Sequence, residues 1–457
     1  MKARFALIAS ALPLLLCFDA AAQPAPAWPR WRGSTGQGIA TGAKLPDKWP
    51  AELKPLWTAS LGSGWSSPVV ADDRVFVTDR QDGSERVLAF DAKTGEQLWM
   101  HSDPIDFDPH PVGARHGNGP KSTPAVAAGK VYSLGIAGRL QCLRADNGQR
   151  LWEVNFPARF GARQPLPRGR AYVYGTESVI VPVGEGQGAP VPLFGYTGSL
   201  LVTEGLVISS VGGSKSGTIM AFDAKTGKEA WRALDDEVSY SSPVAARLAG
   251  REQVVVMTGP EVVGLELATG RKLWSSPFQI QYNESISTPA VADPYVVVNG
   301  DGRPLTALKI TPRGDRCAMA VAWENRDLSS YLSSAVVAGG HVYGMNDGGE
   351  FGCVRLADGK MAWLVGGTAL WGNERAAYYC TPLFVGPRLL ALDERGRLSI
   401  LSATPRPPPP LSIIRLSDRE AWSSPALVGS RLYVRAREQL MAFALKDERE
   451  MRDPALP

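Results

Sequence analysis

The sequence is poor in the residues from which most reaction centres are built. Its 457 residues include only four histidines and five cysteines. No two cysteines are adjacent and none form a C-x-x-C pair, which excludes a zinc ribbon and a dithiol redox site. There is no Ser-His-Asp order, no H-E-x-x-H and no paired-carboxylate signature. Charge of one sign is also lacking: 49 basic against 45 acidic side chains leave a net charge of +4. A nucleic-acid binder needs a basic stripe to displace counterions, so that class is set aside. Apolar i, i+3, i+4 spacing is not sustained beyond the first residues, which argues against an α-solenoid. No later apolar run reaches the roughly 18 residues of a membrane-spanning helix.

The N-terminus reads as a processing segment. Lys2 and Arg4 precede an apolar run from Phe5 to Phe18, and Ala20-Ala21-Ala22 supplies small residues for cleavage. Residues 1–22 are therefore expected to be a secretory signal, cleaved before Gln23. Leu16 stands where a lipid-anchored Cys17 would want a small residue, so ordinary cleavage is expected. The remaining cysteines, Cys142, Cys317, Cys353 and Cys380, read as small buried strand residues. Residues 23–50 carry Trp28, Trp31 and Trp49, and exposing three indoles would be unfavourable. They are expected to form an arm lying along the rest of the molecule. Residues 448–457 read as a polar tail.

What the sequence does have is tryptophan, thirteen in all, and an internal repeat that places it. One landmark is Ser/Thr-Pro before a β-rich run, at Ser67-Pro68, Thr123-Pro124, Ser242-Pro243, Thr288-Pro289, Thr381-Pro382 and Ser424-Pro425. Degenerate copies at Ser199 and Ser334 bring the number to eight, and from Ser199 onward they recur every 43–47 residues. The other landmark is a turn followed by tryptophan, as in LAFDAKTGEQLW ending at Trp99. Trp152, Trp231, Trp274 and Trp363 follow similar turns, with glycine four residues before the indole; the unit ending at Trp323 is longer.

Each unit predicts four short antiparallel strands. Val69–Val70 and Val75–Val77 flank a polar turn, Val87–Phe90 makes a third strand, and Trp99 sits on a fourth. A four-stranded sheet of this size cannot bury both faces alone, and radial stacking of eight such sheets solves the problem. Trp57, Trp99, Trp152, Trp231, Trp274, Trp323 and Trp363 are then docking residues between sheets. Each buries about 150–250 Å², roughly 4–6 kcal/mol gross at about 25 cal/mol/Å². The last unit lacks its tryptophan strand, whereas Pro55–Ala59 carries Trp57 in that register. The expected fold is thus an all-β, eight-bladed propeller over residues 51–447, closed by its N-terminal strand, which removes an open sheet edge.

The repeated A-x-D-x-x-T-G-x-x-x-W resembles the tryptophan-docking motif of quinoprotein-type (PQQ-like) propellers. WPRWRGSTGQG, LDERGRLSIL and LYVRAREQL are similar to strings of exported PQQ-binding-like repeat proteins. The same architecture is that of the BamB-type scaffold of the outer-membrane β-barrel assembly machine. The catalytic branch implies PQQ held against adjacent cysteines beside calcium, a cation that takes six to eight oxygen ligands. The cysteine pair is missing, and Asp301, Asp327, Asp347, Asn299, Asn325 and Asn346 are scattered polar candidates for the calcium.

Two further features stand out. His101, His110 and His116 share a loop with Asp103, Asp106 and Asp108 and are the candidate metal ligands, read here as a polar connector. An insertion at about 157–192 carries Arg159, Arg163, Arg168 and Arg170 and a predicted hairpin from Tyr172 to Val181. The reading is an exported, soluble, monomeric, non-catalytic scaffold of the periplasm or cell envelope that binds proteins and holds no cofactor. The alternative is a PQQ- or metal-dependent oxidoreductase with its site at the central mouth.

Overall fold

The computed structural model describes residues 27–43, 45–107, 113, 116–160, 194–212, 217–236, 238–280, 284–366, 377, 379–407 and 412–446, and the backbone of 171–174 and 177–180. The signal segment, the polar tail, His110, Asp108 and most of the insertion lie outside these residues.

The strands group into eight four-stranded antiparallel sheets, and these are the blades of a β-propeller. Blade 1 comprises Val69–Ala71, Arg74–Gln81, Ser84–Asp91 and Gln97–Pro104, from channel to rim. Blades 2 to 7 repeat this order, with inner strands beginning at Ala125, Leu201, Val244, Ala290, Val336 and Leu383. Blade 8 takes three strands from Ala426–Ala444, and its outer strand is Pro55–Ser60. Pro55 pairs with Phe443 and Trp57 with Ala442, so the ring closes by zipping its two ends together. A hairpin of Ala171–Tyr174 with Glu177–Ile180 stands apart from the blades in the insertion.

Turn chemistry fixes the short third-to-fourth strand connections, as blade 1 shows. Asp91 Oδ1 accepts from the amides of Lys93 and Thr94 at 2.9 and 2.7 Å, and the Gly95 amide returns to Asp91 O. A β-bulge then falls one residue before each outer-strand tryptophan in blades 1 to 6. The bulge re-aims the indole out of its own pleat toward the next blade. Trp99 Nε1 donates to Ala145 O of blade 2 at 3.0 Å, and Trp231 to Leu267 O of blade 4 at 3.0 Å. Trp57, Trp152, Trp323 and Trp363 make the same bond to Ala92, Ala224, Leu356 and Thr404 of the blades that follow them.

Trp274 departs from this pattern. Blade 5 replaces the short turn by a long hairpin, Arg303–Arg313 with Arg316–Asn325. With no turn to meet it, the Trp274 indole donates instead to Gln253 Oε1 of its own blade at 2.7 Å. The hairpin's Ile310 and Cys317 join Leu273 and Trp274 in one apolar cluster. Leu273 is consequently 2% exposed, whereas Leu98, in the corresponding position of blade 1, is 44% exposed.

Candidate functional site

The Ser/Thr of each repeat stands just before an inner strand, and in five places its hydroxyl links neighbouring blades around the axis. Ser67 N donates to Thr123 Oγ1, Thr123 N to Ser199 Oγ and Ser199 N to Ser242 Oγ, at 2.9–3.0 Å. Thr288 N to Ser334 Oγ and Ser334 N to Thr381 Oγ1 continue the ring. At these five positions the buried amide must find an acceptor, and the neighbouring hydroxyl supplies it.

Inside this ring runs the arm. The innermost strand of every blade turns a free edge toward the axis, and those backbone groups need partners. Residues 28–40 supply partners along blades 1, 2, 3, 5 and 7 and beside blade 6. Trp28 exchanges both backbone bonds with Val70 of blade 1, at 2.8 and 2.9 Å, and Pro29 O accepts from Val126 N of blade 2 at 2.7 Å. Arg30 Nη1 reaches Val202 O of blade 3 at 3.0 Å, and Gly36 lies against Val244 of blade 4. Trp31 Nε1 and Gln37 Oε1 bond Thr288 and Val291 N of blade 5. Arg32 reaches Ala335 O beside blade 6, and Gly38 and Ala40 pair with Phe384 of blade 7. The chain then leaves past Arg388, which donates to Pro46 O, before entering blade 8. The arm therefore fills the centre of the ring, a placement the composition alone did not indicate.

The end of the channel nearest the hydroxyl ring is lined with aromatics. Two residues before the repeated Ser/Thr stand Trp65, Tyr240, Tyr379 and Trp422. Tyr379 stacks on Trp422 with centroids 5.6 Å apart. Phe194 packs edge-on against both His116 and Tyr240, at 5.5 and 5.4 Å. Trp65 Nε1 donates to His116 O at 2.8 Å, and Arg437 lies over its ring. The linkers bearing these rings also bond one another: Trp65 N to Pro120 O, Tyr240 N to Ser285 O, and Ser423 Oγ to Trp65 O. The result is a braced aromatic mouth. The aromatic before S-S-P was visible in the repeats, but its significance needed the ring.

A polar groove of about 510 Å³ lies between blades 1 and 2, lined by Glu85, Asp106, Arg139 and Asn155. Glu85 Oε1 accepts from Ile136 N at 2.8 Å, and burial pushes its carboxyl up to about 7. Burial also lowers Lys121 to about 8, and its Nζ donates to Gly117 O and Phe194 O at 3.3 Å.

Among the described residues of the histidine loop no metal set is gathered. His101 Nε2 lies 3.1 Å from Asp103 Oδ2, and Asp103 is also held by Arg139 and Arg150. His116 faces Phe194 at the mouth, and His110 lies outside the described residues. Among the described residues no three His, Cys, Asp or Glu side chains come together as a metal set. The polar residues of units five and six brace loops. Asn299 donates to Ser330 O and Ser333 O, Asn346 to Asp327 O and Glu350, and Asp347 accepts from Tyr331 N. Asn325 Oδ1 caps the amides of Asp327 and Leu328.

The quinone that the resemblance raises does not fit these residues. A quinone on the axis would need the space that residues 28–40 occupy. Cys142, Cys317, Cys353 and Cys380 are each free and buried, in different blades or their linkers. Among the described residues no helix is long and apolar enough to cross a membrane.

Eight radially docked sheets with indoles between them define a quinoprotein-type propeller, a class that contains both enzymes and scaffolds. The family model described as "Outer membrane protein assembly factor BamB" matches residues 50–162 and 85–365, and the chain belongs to that family. It is 26% identical to the outer membrane protein assembly factor BamB of Burkholderia pseudomallei, over 76% of this chain and 87% of that protein. It is also 28% identical to the quinohemoprotein alcohol dehydrogenase ADH-IIG of Pseudomonas putida over 52% of this chain, but spans only 28% of that enzyme's length. The solved structure of BamB from Moraxella catarrhalis shares the fold, with a TM-score of 0.57 at 15% identity, covering 86% of this chain and 98% of that one.

Proposed function

We propose that this chain is a non-catalytic interaction propeller of the cell envelope, whose mouth and rim dock other proteins of outer-membrane assembly. One observation supports the reading: residues 28–40 pair with the channel-facing edges of blades 1, 2, 3, 5 and 7 and so take up space that a ligand on the axis would need. What remains for recognition is the mouth, with its braced aromatics, and the groove between blades 1 and 2. Such loops on a rigid scaffold are where binding surfaces commonly sit. The likeness to a quinohemoprotein dehydrogenase supports a second reading, a quinone-dependent oxidoreductase.

One paired experiment separates them. The purified protein is titrated with PQQ and calcium while the quinone spectrum and dye reduction by alcohols are followed. In parallel, purified outer-membrane assembly proteins are tested for co-elution. The expected result is no spectral change or turnover, with a stable co-eluting complex. Substrate-dependent dye reduction would overturn the scaffold reading.

A further inference from the structure

Phe76 and Val87 of blade 1 pack against Val131 and Leu143 of blade 2 in one apolar cluster. Side chains alternate along a strand, so residues two places further along these strands point into the same interface. Those residues are Thr78, Glu85, Ser133 and Gln141, all polar. They line a chamber of about 10 Å³ between the two blades, room for one water-sized group. Thr78, Ser133 and Gln141 are 4%, 2% and 7% exposed. Their Thr78 Oγ1, Ser133 Oγ and Gln141 Oε1 atoms meet no partner among the described residues. An amide oxygen only accepts and a hydroxyl oxygen can accept, so the chamber calls for a donor.

The charges around the chamber point the same way. Glu85, Arg86, Asp103 and Arg139 line it. Arg86 is paired with Asp79 at 2.5 Å, and Asp103 with Arg139 and Arg150 at 3.2 and 2.7 Å. Glu85 has no ion pair among the described residues, and its Oε1 accepts from the Ile136 amide. Arg80, Arg139 and Lys121 lie near enough to favour its charged form, Asp103 opposes it, and burial outweighs them. Glu85 and Arg139 also line the 510 Å³ groove, so chamber and groove adjoin at these two residues. Pro104, Ile105 and Ala137 give the groove an apolar wall.

We propose that the groove between blades 1 and 2 takes a lysine side chain of a docked protein, with its ammonium in the chamber beside Glu85 and its stem along Pro104, Ile105 and Ala137. The inference rests on the reading of this groove as a protein-recognition surface. An ammonium is about the size of a water and carries three donors, for the three unmet oxygens of Thr78, Ser133 and Gln141. Its charge answers Glu85, and its four-carbon stem suits an apolar wall. A guanidinium is a broad plane with five N–H groups and exceeds a chamber of this size. A bare alkali cation would use the oxygens but leave the apolar wall uncovered.

The test uses the whole protein at pH 8, where the Glu85 carboxyl is ionised, and fluorescein-labelled Gly-Lys-Gly, Gly-Arg-Gly and Gly-norleucine-Gly peptides with blocked ends. Anisotropy should show saturable binding of the lysine peptide, displaced by butylammonium and not by butanol. The arginine and norleucine peptides should bind at least tenfold more weakly, the first for size and the second for charge. Glu85→Gln should weaken the lysine peptide by tenfold or more; if that variant does not fold, Ala137→Phe, which narrows the groove without touching the chamber, should do the same. Crystals soaked in butylammonium chloride should show the carbon stem beside Pro104 and Ile105. Equal binding of the three peptides, or water alone in the chamber of soaked crystals, would overturn the proposal. If that happens while outer-membrane assembly proteins still co-elute, the scaffold reading stands without this site; lysine binding without co-elution would leave the site and remove those partners.

Discussion

Replacing Gly148 by alanine separates the docking of an indole from ordinary turn strain. Gly148 lies in the third-to-fourth strand turn of blade 2 at φ +73, and a Cβ there would stand 2.5 Å from Cε3 of Trp99 in blade 1. The left-handed backbone alone costs a non-glycine residue about 1–2 kcal/mol. The Cβ would also push the indole outward and break the 3.0 Å bond from Trp99 Nε1 to Ala145 O. Leaving those buried groups unpaired costs a further 1–3 kcal/mol or so. Gly148→Ala is therefore expected to destabilise by about 2–5 kcal/mol. Gly129 is the control: it has φ +69 with nothing within 4 Å of a Cβ. Gly129→Ala should cost only the backbone part. Urea unfolding followed by tryptophan fluorescence measures both, and adding Trp99→Phe to each background gives the coupling. Equal losses for the two alanines, or no coupling between positions 148 and 99, would refute the docking argument.

Three further outcomes are expected. Thr123→Val keeps the shape of the side chain but removes the acceptor for Ser67 N, and should lower stability by about 1–3 kcal/mol in the same assay. Hydrogen exchange should show slow amides at Val70, Val126, Val291 and Phe384, whose acceptors are on the arm; exchange at the rate of an open strand edge would mean that the arm does not hold the channel. Burial raises the Glu85 carboxyl to about 7 from an ordinary 4.5, so the folded state retains its proton longer than the unfolded chain. Stability from this group is then greatest at low pH and declines as pH rises from about 4.5 to 7. Glu85→Gln should remove that part of the decline in a Tm-against-pH series, and parallel curves for the two proteins would count against the assignment.

The architecture was legible because repetition amplifies weak local signals. One Ser/Thr-Pro or one D-x-x-T-G turn says little, but eight units at near-constant spacing leave few folds that bury every sheet face. Closure was legible too, since a last unit missing its outer strand and a lone Trp57 strand at the other end complete one another. The site was not legible to the same degree. In the sequence each turn glycine reads with its own repeat, four residues before a tryptophan. In the folded ring Gly95, Gly148, Gly227, Gly270 and Gly359 each lie beneath the indole of the preceding blade.

By itself the sequence determined the strand pattern, the turn chemistry, the number of blades and the joining of the two ends. These follow from local propensity and from periods that any stretch of the chain reveals. Only the tertiary structure decided that Ser/Thr hydroxyls link neighbouring blades, that Trp274 turns back to Gln253, and that residues 28–40 run along the axis with Arg32 buried among them. Those facts depend on pairs far apart in the chain, such as Arg32 with Ala335 or Trp31 with Thr288, and no local pattern records which distant edge is left open for a segment to satisfy.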